Sequence, residues 1–267
     1  MSNLRKYVAY ARVQFIALKE YAFNFLGGLL MVPIDMGMTV LIWGAIYSFI
    51  GQVGSFSLAD MLAYQLLVRA LIVAFLSVGT VNYQVWDDIH QGNLSLFLSR
   101  PINYQAAKLA SEVGKSVVPL VSRMALFLVA CVILKLYIPA QAGIWLFFLL
   151  SVALGFVIMF LVQFIIGAMT FWVERIFGVR DLVSTVNQLL SGQLIPVSVL
   201  PAFIQSLSSV LPFQFTLFVP ISIYLGKVSG NGPLHLLAIQ TAWLIGLLLL
   251  SALIWRQGVK RYEAQGG

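Results

Sequence analysis

A cluster of ionisable side chains interrupts an otherwise apolar chain between residues 84 and 115, QVWDDIHQGNLSLFLSRPINYQAAKLASEVGK. The cluster comprises Asp87, Asp88, His90, Arg100, Lys108, Glu112 and Lys115. Carboxylates, an imidazole and basic groups on a helix-forming loop are suited to ion pairs and hydrogen bonds with a soluble partner. We therefore predict that this segment is a contact surface exposed to the cytosol.

Motifs of enzymatic catalysis are missing from the chain. It has no G-x-x-x-x-G-K-[ST] phosphate-binding loop, no H-E-x-x-H and no G-x-S-x-G. The only cysteine, Cys131, lies in an apolar run and is expected to pack as a small apolar side chain. We expect no catalytic, metal-binding or cofactor-binding residue, so the energy for any work must come from another chain.

The composition is that of a helical membrane protein. Of 267 residues, 61% are hydrophobic and 9% are charged, whereas a soluble domain has about 25% charged residues. The apolar runs are long enough for helices and lack the alternation of barrel strands. The net charge of +7 fits basic residues flanking spanning helices better than a nucleic-acid surface. Membrane lipids are therefore expected partners, and nucleic acid is not.

The apolar runs predict an all-α integral membrane protein with one transmembrane domain, 1–267, and six transmembrane helices. The predicted spans are 25–50, 60–82, 114–136, 142–173, 182–200 and 233–255. The fifth span has the weakest pattern, because it is rich in polar side chains and meets Pro196.

The N-terminal segment, residues 1–22, is predicted to form an amphipathic interfacial helix. Apolar residues recur on one face, and Arg5, Arg12 and Lys19 line its border. This pattern is typical of a helix in the headgroup layer. The alternative is a simple extension of the first span.

A re-entrant helical hairpin is predicted between spans five and six, at residues 201–226. Pro201, Pro212 and Pro220 divide this apolar segment into pieces too short to cross a bilayer. Backbone freed at such breaks must be buried in protein or face a water-filled cavity.

Basic residues determine the predicted orientation. Twelve of them flank the spans on the side of the N-terminus, and only Lys135 and Lys227 lie on the other side. The positive-inside rule therefore places both termini, and the region 84–112, in the cytoplasm.

Within that region, a short helix is predicted at Val85–Gln91. Val85, Trp86 and Ile89 share one face at helical spacing, and Gly92 is expected to end the helix. Such a helix lies crosswise at the membrane surface. Its apolar side either enters a groove on a partner or rests on the membrane with no partner.

Three ionisable residues, Asp35, Arg69 and Arg123, fall inside the predicted spans. Charges within hydrocarbon usually pair or face a cavity, so we predict that Asp35 pairs with Arg69 or Arg123. Such a pair either locks helices together or lies on a translocation path.

The fifth span carries an uncharged polar stripe. Ser184, Asn187, Gln188 and Ser191 lie at i, i+3, i+4 and i+7 and share one helix face. The stripe serves either hydrogen bonding between helices, including across a dimer interface, or a groove that accepts an amphiphilic substrate.

The run DDIHQGNLSLFLSRPI and the later series Gly192, Pro196, Pro201 and Leu211-Pro212-Phe213 resemble motifs of the membrane subunits of ABC-2-type exporters. In particular, the chain resembles the bacterial six-span permeases of about 260 residues, over nearly its whole length. It departs from their pattern at one position, because His90-Gln91 separates the acidic residues from Gly92.

The resemblance implies a permease in the bacterial plasma (inner) membrane that exports a hydrophobic or amphipathic substrate. It implies pairing with a second permease, identical or related, and a separate ATP-binding cassette subunit that carries ATP and Mg²⁺. The region 84–112 then contains the coupling helix. Trp86 and Ile89 are its apolar anchors, and Asp87, Asp88, His90 and Arg100 are its polar rim.

Two other functions remain open from the sequence. One is a membrane scaffold or assembly factor whose cytosolic loop recruits a soluble partner without transport. The other is a secondary carrier, which usually needs buried carboxylates for the coupling ion, and only Asp35 is a candidate for that role.

Overall fold

The computed structural model describes residues 6–13, 22–228 and 232–266. Within these ranges the regular structure is helical, apart from an isolated bridge between Val53 and Phe56. The α-helices are α1 (6–13), α2 (Ala22–Ile50), α3 (Leu58–Val78), α4 (Val81–His90), α5 (Leu94–Leu98), α6 (Tyr104–Ile133), α7 (Ala142–Ala168), α8 (Phe177–Leu190), α9 (Ala202–Val210), α10 (Phe218–Tyr224) and α11 (Gly232–Gly266). Short 3₁₀ turns occupy Met169–Phe171, Val197–Val199 and Pro212–Phe215.

Five helical stretches in the described residues are long and apolar enough to cross a membrane. They are Gly27–Ile50, Leu58–His90, Tyr104–Ile133, Ala142–Phe171 and Gly232–Tyr262. They correspond to five of the six predicted spans, although the third begins ten residues earlier than expected and the last extends well beyond residue 255. The end of this bundle that holds α4 and α5 is called the α4 end below, and the end that holds residues 51–57 is called the opposite end.

The prediction of a spanning helix at 182–200 is wrong. Helix α8 has 14 residues and ends at Leu190, and about 1.5 Å per residue gives it only two thirds of a hydrocarbon core about 30 Å thick. Gly192 then takes a left-handed conformation with φ +80°, which breaks the helix before Pro196. The chain still reaches the opposite end, where Val199 lies beside Gly54.

Side chains from other helices bind the backbone carbonyls that this break leaves free. Tyr64 donates to the Gly192 carbonyl at 2.7 Å, and Gln65 donates to the Leu194 carbonyl at 2.8 Å. The Leu190 carbonyl accepts from Ser208 at 2.8 Å. The interrupted crossing is therefore stabilised by contacts far apart in the chain.

The segment that follows folds back into the bundle. Val199 and Lys227 both lie at the opposite end, where Lys227 contacts Asp60 at 2.9 Å. Between them, the backbone of Phe215 lies against Gly155, near the middle of α7. The Phe215 carbonyl accepts a 2.8 Å hydrogen bond from Gln240 of α11. Helix α9 and the 3₁₀ turn at Pro212–Phe215 lead to this tip, and α10 leads away from it.

Helix α7 is the centre of the bundle, packing against α3, α4, α10 and α11. Three of its aromatic side chains, Phe148, Phe160 and Phe164, are completely buried. On the side of α4, Gly167 allows very close approach, because a Cβ atom there would lie 2.7 Å from the Val85 Cβ and 2.9 Å from the Asn82 carbonyl oxygen.

The predicted helix at Val85–Gln91 is therefore longer and differently placed than expected. It begins at Val81, ends at His90 and packs along α7, so Val85 faces the core and not a partner. The reason is the Gly167 contact, a pairing between distant segments that the local apolar pattern does not show.

The predicted N-terminal helix falls partly outside the described residues. Its described part, α1, packs across the first half of α6, where Gly114 touches the Ala11 backbone. Lys6 donates to the Pro101 carbonyl at 3.2 Å, and the Tyr7 hydroxyl accepts from the Asn103 amide at 3.2 Å.

Gly167→Ala is expected to destabilise the protein, because the added methyl group forces α4 away from α7. Overpacking of this kind costs about 1–3 kcal/mol, or a fall of several degrees in the melting temperature of the detergent-purified chain. Gly246→Ala in α11 is the control, since a Cβ atom there meets nothing within 4 Å. An unchanged melting temperature for Gly167→Ala would rule out this packing.

Candidate functional site

An ion pair at the α4 end joins α4 to α6. The Lys108 ammonium lies 2.7 Å from the Asp88 carboxylate, and the two side chains are 15% and 14% exposed. Asp88 also accepts a 2.5 Å hydrogen bond from the Tyr104 hydroxyl. The Tyr104 ring stacks on Trp255 of α11, with 4.8 Å between ring centroids. Asp88, predicted to lie on the rim of a contact surface, is thus bound inside the chain.

A second polar network ties α4 to α3 and α6. Glu112 is completely buried and accepts hydrogen bonds from Ser77, from Gln84 at 3.0 Å and from Lys115 at 2.6 Å. Its three partners come from the end of α3, from α4 and from α6 itself. Because Ser77 and Gln84 flank the break between α3 and α4, this carboxylate fixes the angle between the two helices.

Trp86 connects α4 to the start of α8. Its ring packs on Phe177 at 5.5 Å and stacks on His90 at 4.7 Å between centroids. Its indole nitrogen donates to the Glu174 carbonyl at 3.2 Å. Much of the Trp86 surface is therefore in contact with other parts of the chain. Its predicted role as an anchor for a partner stays a prediction.

The exposed part of this region follows α4. Gly92 takes φ +73° and turns the chain into α5, whose Leu96 and Leu98 side chains are 60% and 38% exposed. Arg100 is also exposed. A surface with two apolar side chains beside a cation is suited to binding another protein.

The other predicted rim and anchor residues differ in exposure. Asp87 is half-buried and accepts from Gln91 at 3.1 Å. His90 is exposed. Ile89 is half-buried and, with His90, lines a groove shared with Phe171 and Tyr262. The structure thus places these predicted residues at one end of the bundle, but most of them already make contacts within the chain.

Of the two cations considered for Asp35, Arg69 is the one it meets. The Arg69 Nε lies 3.7 Å from the Asp35 carboxylate, and the side chains are 43% and 48% exposed. Arg123 has no ion pair among the described residues. Arg69 also lines a small cavity with Gln65 and Gln193, so the pair lies beside the interrupted crossing.

The polar stripe of α8 faces inward in part. Ser184, Asn187 and Gln188 line a cavity of about 300 Å³ between α8 and the helices α3, α4 and α7. Ser191 is completely buried, and its carbonyl accepts from the Phe218 amide at 2.9 Å.

Lys108, Glu112 and Lys115 were predicted only as members of the exposed charged cluster, and their spacing i, i+4, i+7 places them on one face of α6. The binding of Lys108 and Glu112 to other helices of the chain was not predicted. Gln163 was not singled out as functional, although a lone carboxamide in the apolar run of the fourth span is a signal. The partners of these residues could not be read from the sequence, because they come from other helices.

No group of three or more His, Cys, Asp or Glu able to hold a metal occurs in the part of the chain that the structure describes.

Five helices in the described residues are long and apolar enough to cross a membrane, as expected of a multi-pass membrane protein. The family model described as ABC-2 family transporter protein matches residues 34–266, and the chain belongs to that family. It is therefore the membrane subunit of a transporter, a family position that implies an ATP-binding partner in general. No curated protein matches the chain.

Asp88→Asn is expected to lower stability by about 3 kcal/mol, because it leaves the Lys108 ammonium nearly buried without its counter-ion. The measurement is the free energy of unfolding, or the melting temperature, in detergent. Adding Lys108→Met should restore much of the loss, since the unpaired charge is then removed. Asp87→Asn is the matched control. Equal effects of the two Asp→Asn changes would contradict the importance of the ion pair.

A double-mutant cycle is expected to show coupling between Asp35 and Arg69. Asp35→Asn and Arg69→Gln each leave one charge unpaired within the bundle, so the double variant should be more stable than the sum of the single losses predicts. Arg123→Gln, combined with Asp35→Asn, should give additive losses. Additivity for Asp35 and Arg69 would show that their proximity stabilises nothing.

Proposed function

We propose that this chain is the membrane-spanning permease subunit of an ATP-driven exporter, moving a hydrophobic or amphipathic substrate out of the cytoplasm or the inner leaflet. A separate ATP-binding cassette subunit hydrolyses ATP with Mg²⁺, and a second permease, identical or related, completes the membrane part. The observation that carries the proposal is the position of α4. This helix leads into the exposed α5 and makes non-covalent contacts with α6, α7 and the segment before α8.

The distribution of basic residues supports an orientation with the α4 end in the bacterial cytoplasm. The described basic residues at that end are Lys6, Arg12, Arg100, Lys108, Lys115, Arg175, Arg180, Arg256, Lys260 and Arg261, whereas Lys135 and Lys227 lie at the opposite end. Such an excess is typical of the cytoplasmic side. Both termini are then cytoplasmic, and α5 faces the compartment that contains ATP.

Helix α4 is built to move as a unit with its neighbours. Asp88 and Gln84 bind it to α6, Val85 packs it on α7, and Trp86 ties it to the segment before α8. A force applied at α5 therefore reaches α6 and α7 through buried or partly buried contacts and reaches α8 through Trp86, which packs on Phe177. Packed interfaces of this kind transmit discrete rearrangements because they do not deform continuously.

The contact with the ATP-binding subunit is assigned to α5 and the residues after it. Leu96, Leu98 and Arg100 are exposed here, whereas Trp86 and Asp88 are engaged within the chain. We therefore propose that Leu96, Leu98 and Arg100 make the coupling contact, with His90 at its edge.

Leu96→Ser combined with Arg100→Ala is expected to weaken coupling to the ATP-binding subunit. Both side chains are exposed, so the fold should persist while substrate-stimulated ATPase activity of the reconstituted complex falls about tenfold, the effect of losing about 1.4 kcal/mol of contact energy. Leu146→Ser is the matched control, because Leu146 is 57% exposed near the opposite end.

The same measurements separate the proposed exporter from a membrane scaffold. A scaffold would bind its soluble partner without changing ATP hydrolysis and without moving lipophilic compounds across a vesicle membrane. If the variant complex hydrolyses ATP and transports as the native complex does, α5 is not the coupling contact.

A further inference from the structure

The cavity beside α8 has an unusual lining. Five carboxamide side chains border its space of about 300 Å³: Asn82, Gln163, Asn187, Gln188 and Gln193. They come from α4, α7, α8 and the turn after α8, so distant parts of the chain bring them together. Carboxamides carry a donor and an acceptor side by side, and the volume is at the lower end of the range for small-ligand pockets.

Two of these carboxamides have unused hydrogen-bonding capacity. Asn82 is 1% exposed, and its amide nitrogen donates to Gln163 and, at 3.3 Å, to the Gly79 carbonyl. Its Oδ1 atom is buried and has no hydrogen-bond partner among the described residues, and the same is true of the Asn187 Oδ1. An unsatisfied buried acceptor costs about 1–3 kcal/mol, so a side-chain rotation that turns either oxygen toward a hydrogen-bond donor in the cavity is favoured.

The electrostatics of the cavity favour an uncharged ligand. The two charged side chains that line it, Arg180 and Asp181, bond to each other at 3.1 Å. Their side chains are 40% and 67% exposed, so both charges remain hydrated. A charged ligand among the carboxamides would lose its hydration without a counter-ion beside it.

The other side of the cavity is apolar. Ile72, Phe75, Leu76 and Met159 contribute to the lining, and Leu76 is 62% exposed on the outside of the bundle. An alkyl chain attached to a polar group in the cavity therefore has an apolar surface to follow into the bilayer.

We propose that this cavity binds the uncharged, hydroxyl-rich headgroup of an amphiphile, with its alkyl chain directed along α3 toward the lipid. A hydroxyl group both donates and accepts, so several hydroxyl groups match several carboxamides. The role of this site as the substrate site of an exporter rests on the proposed function, whereas binding itself does not.

The test measures binding of radiolabelled decyl β-glucoside to the full chain in lipid nanodiscs, without an ATP-binding subunit. Uptake by empty nanodiscs is subtracted. Decyl phosphate and decyltrimethylammonium are the charged competitors of equal chain length. Saturable binding of the glucoside, displaced poorly by either charged compound, is expected.

Asn187→Leu combined with Gln188→Met keeps side-chain size and removes two carboxamides, so it should weaken glucoside binding about tenfold. Gln141→Met is the control, since Gln141 is an exposed carboxamide outside the cavity. Gln188→Glu is a second test that spares the core, because Gln188 is exposed. It should shift preference from the glucoside toward decyltrimethylammonium.

Native-like glucoside binding and unchanged preference in these variants would overturn the proposal, as would an absence of saturable binding to the native chain. The outcome for the proposed function is separate. Glucoside binding without any ATPase coupling would support the headgroup site and contradict the exporter function. ATPase coupling without glucoside binding would support the exporter function and contradict the headgroup site.

Discussion

The structure depends on one constraint: in hydrocarbon, every backbone polar group needs a partner within the protein. The interrupted fifth crossing and the hairpin after it leave helical geometry inside the bundle, so their carbonyls need donors from elsewhere. Tyr64, Gln65, Ser208 and Gln240 supply them, at distances of 2.7–2.8 Å. These four polar side chains in apolar surroundings hold the non-helical part of the fold in place.

The same constraint explains the polar character of the space next to α8. Since α8 is short and its following turn is bound to α3, its polar face stands apart from α7 and leaves a cavity instead of a sealed helix contact. At the α4 end, by contrast, the ionisable groups pair closely, as Asp88 does with Lys108 and Glu112 does with Lys115. One side of α4 is therefore tightly bound, and the other borders an open polar space.

The sequence predicted the helical class, five of the long helices and the folded-back segment, because continuous apolar runs and prolines are local signals. It did not predict that α8 ends at Leu190, since Tyr64 and Gln65 stabilise the break from more than a hundred residues away. It also placed Val85–Gln91 at the surface, because the Gly167 contact that buries Val85 belongs to another helix. Asp35 was assigned two candidate partners, and only the packing of α2 on α3 distinguishes them.

The hydrogen bond between Gln240 and the Phe215 carbonyl has a consequence for how the chain is made. Tyr64 and Gln65 are synthesised long before Gly192 and Leu194, so the interrupted crossing meets its donors as soon as it enters the bilayer. The tip of the hairpin is different, because its donor lies 25 residues later. During synthesis the tip must wait for the last helix, and insertion of α11 is the step that completes the packing around the hairpin.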